Sequence, residues 1–301
     1  MKKKIYIAWC GGMLWEAFYK QFKDDYIIKC TDIDVNDDRL SYLDFRNLNE
    51  YKKDVFDFKP DYLFHLWAHT DLEYCEKNPD DTYLTNTISV ENACYIANEL
   101  NIPLLYICTA WIFDWKKETY DDRSHPNPLW IYAKAKHQAE IFVKENIKKY
   151  LICRAWWMMW WGEKKDKKFI NKIIKQIKAW KKELFIVNDK TGTPTYTHDF
   201  AKNVKILLEK EYRWLYNMVC EGLTDRLEVT KELISLLWLG NDIKITEVSS
   251  KHFSDEYFAP RPDCERLINK KLSLRWINMM RDWRVALKEY IETYYQDLFK
   301  K

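Results

Sequence analysis

The first fifteen residues constrain the fold more than any other part of the sequence. Residues 5–8 (IYIA) form a short apolar run with β-branched members, which predicts a buried strand. Gly11 and Gly12 interrupt this run, and the apolar spacing from Met13 to Phe22 predicts a helix. A strand, a glycine turn and a helix in this order are typical of a doubly wound sheet that binds a dinucleotide, whose pyrophosphate lies on the helix N-terminus.

The glycine turn departs from the usual dinucleotide fingerprint. The Gly-x-x-Gly-x-x-Gly variant requires glycine at positions 9, 12 and 15, where this chain has Trp9, Gly12 and Trp15. Glycine is used there because a side chain would occupy the space between backbone and pyrophosphate. The motif is therefore a weak indication by itself. The residues that we predict to bind the cofactor in this turn are Trp9, Gly11, Gly12, Met13, Leu14 and Trp15.

The remaining pattern alternates strands with helices. Strands are predicted at 26–30, 61–67, 103–109 and 150–155, with the end of a further strand at 43–45, and helices at 47–58, 79–100 and 132–144. This alternation predicts an α/β, Rossmann-like doubly wound parallel sheet. We expect a cofactor-binding domain over residues 1–160 and a smaller C-terminal α+β substrate-binding part over 161–301. The second part is expected to be discontinuous, with about 186–222 returning to the sheet.

Charge and cysteine content limit the partners of the chain. The net charge of +3 gives no reason to expect a nucleic acid or a membrane surface as partner. The eight cysteines are scattered without C-x-x-C spacing, which predicts reduced thiols, a cytoplasmic location and no metal site. The lysines and apolar residues of MKKKIYIAWC offer an export signal as an alternative, but the apolar run of about five residues falls short of the ~7–15 required.

Two side chains in one predicted helix suggest proton transfer. Tyr132 and Lys136 are four residues apart and therefore share a helix face. A neighbouring ammonium favours the ionised phenol and lowers its pKa, so Tyr132 could exchange a proton with a carbonyl or alcohol oxygen. Thr109 ends a predicted strand, where ligands bind in such sheets, and its hydroxyl could hold the same oxygen. A Tyr-x-x-x-Lys pair also arises by chance, and its position after a glycine turn and Thr109 favours the catalytic interpretation.

Six segments carry a resemblance to a known family. They are LWAHTDLEYCEKNP (66–79), CTAWIFDW (108–115), NPLWIYAKAKHQAE (127–140), NDKTGTPTYTHDFA (188–201), RPDCERLINKKL (261–272) and DWRVALKEY (282–290). Together they resemble the extended short-chain dehydrogenase/reductase family, in its sugar-nucleotide reductase branch. The resemblance covers nearly the whole chain, from Lys4 to about Tyr290.

The resemblance implies roles for individual residues. Thr109, Tyr132 and Lys136 match the family's catalytic residues, and Lys136 and Tyr132 also meet the nicotinamide ribose. Further cofactor contacts are implied at Asp32, Asp44, Phe45, Leu66, Trp67, Ala68 and Thr70, with Asp44 and Phe45 at the adenine. Asp32 and Asp34 also fit a solvated acidic turn. Thr109, Ala110, Trp157 and Arg261 are implied to contact the sugar nucleotide, although Ala110 replaces an aspartate of the family pattern.

The resemblance implies a function in nucleotide-sugar metabolism. The expected reaction is the reduction, by NADPH or NADH, of the C4 ketone of a dTDP-linked 6-deoxy sugar. Two alternatives remain open, a nucleotide-sugar epimerase or dehydratase on the same scaffold and a non-catalytic nucleotide-binding regulatory subunit. The nucleotide-sugar substrate is the expected partner, and a homodimer is possible.

Tryptophan is abundant where glycine is scarce. The chain has 6 glycines and 15 tryptophans in 301 residues, whereas glycine usually accounts for ~7% of a protein. The tryptophans at positions where the family pattern has glycine are Trp9, Trp15, Trp115, Trp180, Trp214 and Trp238, and those in other predicted turns or tight contacts are Trp67, Trp111, Trp130, Trp156, Trp160, Trp161 and Trp276. Trp157 and Trp283 match aromatic positions instead.

Two explanations of this excess are open. One is that a codon that encodes glycine in the source organism has been translated as tryptophan in this sequence. UGA is the codon we expect, because different genetic codes read it as stop, tryptophan or glycine. The other is a tryptophan-rich protein that has lost its cofactor. Overpacking costs ~1–3 kcal/mol per site and a whole domain is stable by only ~5–15 kcal/mol, which favours glycine at the thirteen positions.

Overall fold

The computed structural model describes residues 2–8, 12–35, 37–159, 168–255, 257–259, 261–295 and 298. The chain divides into two compact units that are interleaved along the sequence. The first unit comprises Met1–Asp114, His125–Arg154 and Ala201–Tyr216, and the second comprises Trp115–Ser124, Ala155–Phe200 and Asn217–Lys301.

A seven-stranded sheet with flanking helices is built around the first unit. Its strands are β1 (Lys4–Ala8), β2 (Ile27–Asp32), β3 (Leu40–Tyr42), β4 (Tyr62–His65), β5 (Leu104–Thr109), β6 (Tyr150–Ala155) and β11 (Trp214–Asn217). The order across the sheet is β11-β6-β5-β4-β1-β2-β3, and β1 pairs in parallel with β2 and β4. The parallel, Rossmann-like α/β fold predicted from the sequence is confirmed.

The helices of the chain follow the strands in alternation. They are α1 (Trp15–Phe22), α2 (Leu48–Phe58), α3 (Leu72–Lys77), α4 (Pro79–Tyr83), α5 (Ser89–Glu99), α6 (Ile131–Asn146), α7 (Phe169–Lys178), α8 (Thr197–Glu209), α9 (Arg226–Leu236), α10 (Lys270–Leu274) and α11 (Trp283–Tyr294). A π-helical turn, Leu84–Ile88, joins α4 to α5, and 3₁₀ turns form at Ala110–Ile112 and Ser250–Phe253.

Aromatic side chains pack helices on both faces of the sheet. On one face, Phe18 and Phe22 of α1 lie 5.6 Å from the Phe64 ring of β4. On the other, Tyr51 of α2 lies 6.1 Å from the Tyr6 ring of β1. Tyr6 pairs in register with the residue before Phe64, so the two rings point to opposite faces.

Two predicted elements need correction. The prediction of strand over 43–45 was wrong, because β3 ends at Tyr42 and the Asp44 carboxylate then accepts hydrogen bonds from Arg46 in a turn. The single helix predicted over 79–100 is divided by the π-helical turn at 84–88.

The second unit combines short strands with helices. Its strands are β7 (Met158–Met159), β8 (Glu183–Val187), β9 (Thr191–Gly192), β10 (Thr195–Tyr196), β12 (Thr224–Asp225), β13 (Lys244–Val248) and β14 (Cys264–Glu265). The strands β8 and β13 pair in parallel, whereas β9 pairs antiparallel with β12 and parallel with β14.

Three properties of the described residues bear on the predicted partners. The seven described cysteines are buried and form no disulfide with one another. No group of three or more His, Cys, Asp or Glu side chains among these residues is placed to hold a metal ion. Within the same ranges, every helix is too short or too polar to cross a bilayer.

Candidate active site

The predicted catalytic residues of the first unit lie at the carboxyl edge of the sheet. Thr109 is the last residue of β5, and its side chain is 1% exposed. Its Oγ1 accepts a hydrogen bond of 3.2 Å from the Trp111 N–H, which lies in the 3₁₀ turn that follows the strand. Ala110, in the same turn, is also buried. Ligands bind at this edge in doubly wound sheets.

Tyr132 and Lys136 occupy one face of α6, one turn apart, as their spacing predicts. Both side chains are only 3% exposed. The helix start is fixed by the Ile131 N–H, which donates a 2.8 Å hydrogen bond to Glu76 of α3. The Trp111 and Tyr132 rings meet edge to face with centroids 6.0 Å apart. Thr109 and Tyr132 are therefore brought near one another through the turn that holds Trp111.

The Lys136 ammonium is a buried charge. Burial lowers its pKa to about 8, although the Cys108 thiol and the Glu140 carboxylate partly oppose the shift. Its Nζ lies 4.3 Å from the centroid of the Tyr106 ring, close enough for a cation–π interaction. A cation held in this way would stabilise negative charge developing on a neighbouring oxygen.

Asn86 holds the loop after β4 and was missed by the sequence analysis. This residue of the π-helical turn is fully buried, and its side-chain amide pairs with the backbone of His69. The His69 N–H donates to Asn86 Oδ1 at 2.7 Å, and Asn86 Nδ2 donates to the His69 carbonyl at 3.0 Å. The predicted cofactor residues Leu66, Trp67 and Ala68 are buried in this loop, and Thr70 is half-buried.

A second side-chain amide, that of Asn92, holds the backbone in the predicted adenine-binding region. Asn92 donates hydrogen bonds of 3.0 and 3.2 Å to the carbonyls of Phe45 and Arg46. Phe45 is fully buried, with its ring centroid 5.1 Å from that of Trp67. Burial of Asp44 disfavours its ionised form, but the hydrogen bonds from Arg46 outweigh this and lower the pKa of the carboxyl. The loop after β3 is therefore held by hydrogen bonds from Asn92 and Arg46.

Asp32 ends β2 with a buried carboxylate. The side chain is 1% exposed, and Oδ1 accepts a 2.9 Å hydrogen bond from the Asp34 N–H. The carboxylate is thus part of the tight turn that follows β2. Contact with a ribose remains a prediction for this residue.

The glycine turn is described in part. Trp9 and Gly11 lie outside the described residues, whereas Gly12, Met13, Leu14 and Trp15 lead into α1. Leu14, the N-cap, makes no side-chain capping hydrogen bond. Trp15 is 8% exposed, with its ring 4.8 Å from that of Tyr19 and 5.0 Å from the guanidinium carbon of Arg39.

At this edge of the sheet the polar groups suit a bound dinucleotide, whereas two indole side chains occupy space beside them. The N–H groups of the first turn of α1 have no side-chain acceptor at the N-cap, as a phosphate-binding helix requires. Lys136 supplies a cation at the end of β5. The polar groups therefore fit the cofactor, but the buried indoles of Trp67 and Trp111 take up volume beside Phe45 and Tyr132.

The predicted substrate residues of the second unit include a structured aromatic site. The Trp157 Nε1–H donates a 2.8 Å hydrogen bond to Glu265, and its indole lies directly on Gly192, where a Cβ would be 2.6 Å from the ring. Arg226 covers the same ring at 5.5 Å. Arg261 is half-buried and donates a 2.7 Å hydrogen bond to the Ala259 carbonyl.

Comparison with known proteins identifies the family. The description "RmlD substrate binding domain" matches residues 3–296, nearly the whole chain. The chain belongs to the RmlD substrate binding domain family. This agrees with the resemblance drawn from the sequence motifs.

Curated proteins that are similar in sequence to this RmlD-family chain carry different names. The Bacillus subtilis spore coat polysaccharide biosynthesis protein SpsK is 27% identical over 78% of this chain and 80% of its own. The Xenopus tropicalis methionine adenosyltransferase 2 subunit beta is 24% identical over 95% and 86%. The Salmonella typhimurium dTDP-4-dehydrorhamnose reductase is 25% identical over 82% and 84%.

Two solved structures of dTDP-4-dehydrorhamnose reductases share this fold. A dTDP-4-dehydrorhamnose reductase from Clostridium acetobutylicum superposes with a TM-score of 0.87 and 29% identity, covering 96% of this chain and 99% of the other. The Bacillus anthracis dTDP-4-dehydrorhamnose reductase, solved in complex with NADP, has a TM-score of 0.87 and 26% identity, covering 97% and 100%.

Proposed function

We propose that the protein is an NAD(P)H-dependent reductase of the C4 ketone of a nucleotide-linked deoxysugar, with dTDP-4-dehydrorhamnose as the favoured substrate. The placement of Tyr132 and Lys136 on one face of α6, beside the end of β5 at Thr109, carries this proposal. Family membership over residues 3–296 and the reductase names of two close structural neighbours support it.

Tyr132 is the proposed proton donor. Reduction of the ketone adds a hydride to C4 and leaves an alkoxide that must receive a proton. The Tyr132 phenol transfers that proton to the sugar oxygen, and the Thr109 hydroxyl orients the same oxygen. The cationic Lys136 stabilises the phenolate that remains, because an opposite charge in a buried site favours the ionised form.

The cofactor is proposed to bind along the carboxyl edge. A reduced nicotinamide cofactor supplies the hydride when bound. The N-terminus of α1 would receive the pyrophosphate, Asp32 and Phe45 would border the adenosine, and Lys136 would hold the nicotinamide ribose. The choice between NADPH and NADH is left open, since Asp32 and Asp34 favour NADH while Lys29 and Arg39 supply cations that a 2′-phosphate needs.

Substrate recognition is proposed for Trp157 and Arg261 of the second unit. Trp157 is a half-buried aromatic side chain held in place by Glu265, and Arg261 offers a cation for a diphosphate. Ala110 cannot donate or accept a side-chain hydrogen bond. A sugar hydroxyl that an aspartate would contact at that position therefore has no side-chain partner from residue 110.

The proposal is tested with the chain carrying glycine at residues 9, 15, 67 and 111. NADPH oxidation in the presence of dTDP-4-dehydrorhamnose is expected, with a loss of at least ~100-fold in kcat for Tyr132→Phe. Tyr120→Phe is the matched control, because this buried tyrosine lies in the other unit and its loss should leave kcat unchanged within a factor of about two. Absence of turnover with any 4-keto nucleotide sugar would contradict the proposal.

A second function is favoured by one relative. The subunit beta of methionine adenosyltransferase 2 matches 95% of this chain, and by its name it is a subunit of another enzyme. Ala110, which replaces an aspartate of the family pattern, also agrees with a nucleotide-binding regulatory subunit that has no catalytic role. Tight binding of NADPH without any turnover in the assay above would favour this alternative.

A further inference from the structure

Tryptophan is concentrated in a backbone conformation that disfavours it. Nine described non-glycine residues have positive φ, and six of them are tryptophan. These are Trp115 (64°), Trp157 (44°), Trp180 (58°), Trp214 (81°), Trp238 (58°) and Trp276 (56°). Left-handed backbone is uncommon for residues with a Cβ and strained for bulky ones, whereas glycine adopts it freely. A bulky aromatic residue is therefore the reverse of what these positions require.

Three of these tryptophans end helices in the Schellman motif. In this motif the residue after the C-cap is left-handed and is usually glycine. Trp180 follows α7, and its N–H donates to Ile177 while the next N–H, from Lys181, donates to Gln176. Both bonds of the motif are thus present, at 2.9 and 3.2 Å.

The other two helix ends repeat this arrangement after α9 and α10. The Trp238 N–H donates to Ser235, and the following N–H donates to Ile234. The Trp276 N–H donates to Ser273, and the following N–H donates to Leu272. All six hydrogen bonds lie between 2.9 and 3.2 Å. The same demanding position is therefore filled by tryptophan three times in one chain.

The indoles at these helix ends are exposed to solvent. Trp180, Trp238 and Trp276 are 76%, 87% and 92% exposed, and Trp214, also left-handed, is 58% exposed. Tryptophan normally stabilises a fold by burying its large ring. Little of that gain is available here, so these side chains carry backbone strain without the packing that would offset it.

Two other tryptophans, Trp157 and Trp283, make specific contacts with their surroundings. Trp283 is 1% exposed at the start of α11, and Trp157 is hydrogen-bonded to Glu265 and packed on Gly192. Trp157 shows that a positive φ is tolerated where the ring has specific contacts. Specific contacts thus distinguish Trp157 and Trp283 from the exposed Trp180, Trp214, Trp238 and Trp276.

The positions selected by the backbone agree with those selected by the family pattern. The resemblance assigned glycine to Trp115, Trp180, Trp214 and Trp238 from motifs alone, and all four are left-handed in the structure. We propose that these four residues and Trp276 are glycine in the protein that the source cells make, while Trp157 and Trp283 are tryptophan. A single reassigned codon accounts for both groups, with UGA at the glycine positions and UGG at the other two.

The same codon reassignment would also place glycine in the predicted dinucleotide-binding turn. Trp9 and Trp15 stand at the two fingerprint positions that lack glycine, so one reassignment would complete the motif and clear Trp67 and Trp111 from the carboxyl edge. This inference is independent of the proposed function, since the helix ends that carry it contain none of the proposed site residues. An intact cofactor turn is its consequence.

Mass spectrometry of the protein purified from its natural source tests the inference. Peptides covering residues 180, 238 and 276 should show glycine, each lighter than the written peptide by the difference between the two residues, and peptides covering 157 and 283 should show tryptophan. The two packed tryptophans are internal controls for the codon assignment. Tryptophan at any of the three helix ends, or glycine at either packed position, overturns the inference.

Thermal melting provides a second measurement on recombinant protein. The triple variant Trp180→Gly, Trp238→Gly, Trp276→Gly is expected to raise Tm by about 2–4 °C per site, because glycine removes the strain. Trp283→Gly is the matched control and should lower Tm through loss of a buried ring. An unchanged or lower Tm in the triple variant overturns the strain argument. Glycine in the natural protein without ketone reduction would reject the proposed function alone.

Discussion

At the scale of single residues, the candidate site depends on buried polar groups. Tyr132, Lys136 and Thr109 were predictable because their spacing and their place after a strand follow from local pattern. Asn86 and Glu76 were not predictable, because their side chains accept hydrogen bonds from backbone N–H groups that lie 17 and 55 residues away in sequence, respectively. No periodicity marks such a contact, and a buried amide in a helix looks like any other polar helical residue.

Lys136 is expected to reduce stability at neutral pH. Burial lowers its folded pKa to about 8 from an ordinary 10.5, so the cost of burying the charge is fully present below pH 8. It is relieved as the pH rises from about 8 to 10.5, where the unfolded chain binds more protons. Lys136→Met should therefore raise the free energy of unfolding at pH 7 by on the order of 2 kcal/mol.

Urea denaturation at pH 7 and pH 10.5 measures this effect. The gain of Lys136→Met over the parent should shrink at the higher pH, whereas Lys134→Met, exposed on the same helix, should change little at either pH. A loss of stability at both pH values would show that the ammonium is well solvated or well paired. Ketone reduction should fall in Lys136→Met while stability rises, the trade expected of a functional charge.

At the scale of elements, the alternation of strands and helices carried the prediction. Strands β1, β4, β5 and β6 each contain three to five consecutive apolar residues, and a glycine or proline lies within three residues of β1, β4 and β5. The two-residue strands of the second unit, such as β7 and β12, are too short to show a period of two. Their pairing is decided by tertiary contacts, which local sequence does not record.

A buried ion pair joins α6 to β6. Arg154 is 2% exposed and donates hydrogen bonds of 2.9 and 2.5 Å to Glu140, which is fully buried. Removing one partner leaves the other charge buried and unpaired, so Arg154→Met should cost about 3–5 kcal/mol. Combining it with Glu140→Leu should recover most of this loss, because an apolar pair of similar volume has no charge to desolvate.

Chemical denaturation of the two single variants and the double variant checks this coupling. Arg39→Met serves as control, since its ion pair with Asp37 is partly exposed and should contribute at most about 1 kcal/mol. If the double variant is as unstable as Arg154→Met alone, the pair is stabilising in itself.

The Asn86 amide fixes the loop after β4 through two backbone hydrogen bonds. Asn86→Ala leaves the His69 N–H and carbonyl without these partners and should cost about 1–3 kcal/mol. Because that loop lines the proposed cofactor site, the Kd for NADPH should rise as well. Asn98→Ala, which removes one exposed hydrogen bond to Asn146, should cost less and leave the Kd unchanged. Equal effects of the two variants on Kd would argue against a role of Asn86 at the site.

At the scale of the whole molecule, ligand binding links the two proposals. A ligand that binds only the folded state stabilises it by ~2.7 kcal/mol at 100 times its Kd. The chain with glycine at residues 9, 15, 67 and 111 should show a rise in Tm of this origin with NADPH, and the chain as written should show none. The variant with glycine at the three helix ends alone should melt higher yet respond to NADPH no better than its parent. A full NADPH response from the chain as written would contradict the assignment of Trp9 and Trp15.

The π-helical turn between α4 and α5 has a consequence for the length of the chain. A π turn behaves as a one-residue insertion within an α-helix. Deleting one residue from Leu84–Ile88 would let α4 and α5 merge into a regular helix, with the residues on either side rotated by about 100° relative to one another. Arg46 contacts Asp81 on one side of the turn and Asn92 on the other, so both contacts could not survive. The one additional residue in the π-helical turn thus sets how α4 and α5 are rotated relative to each other.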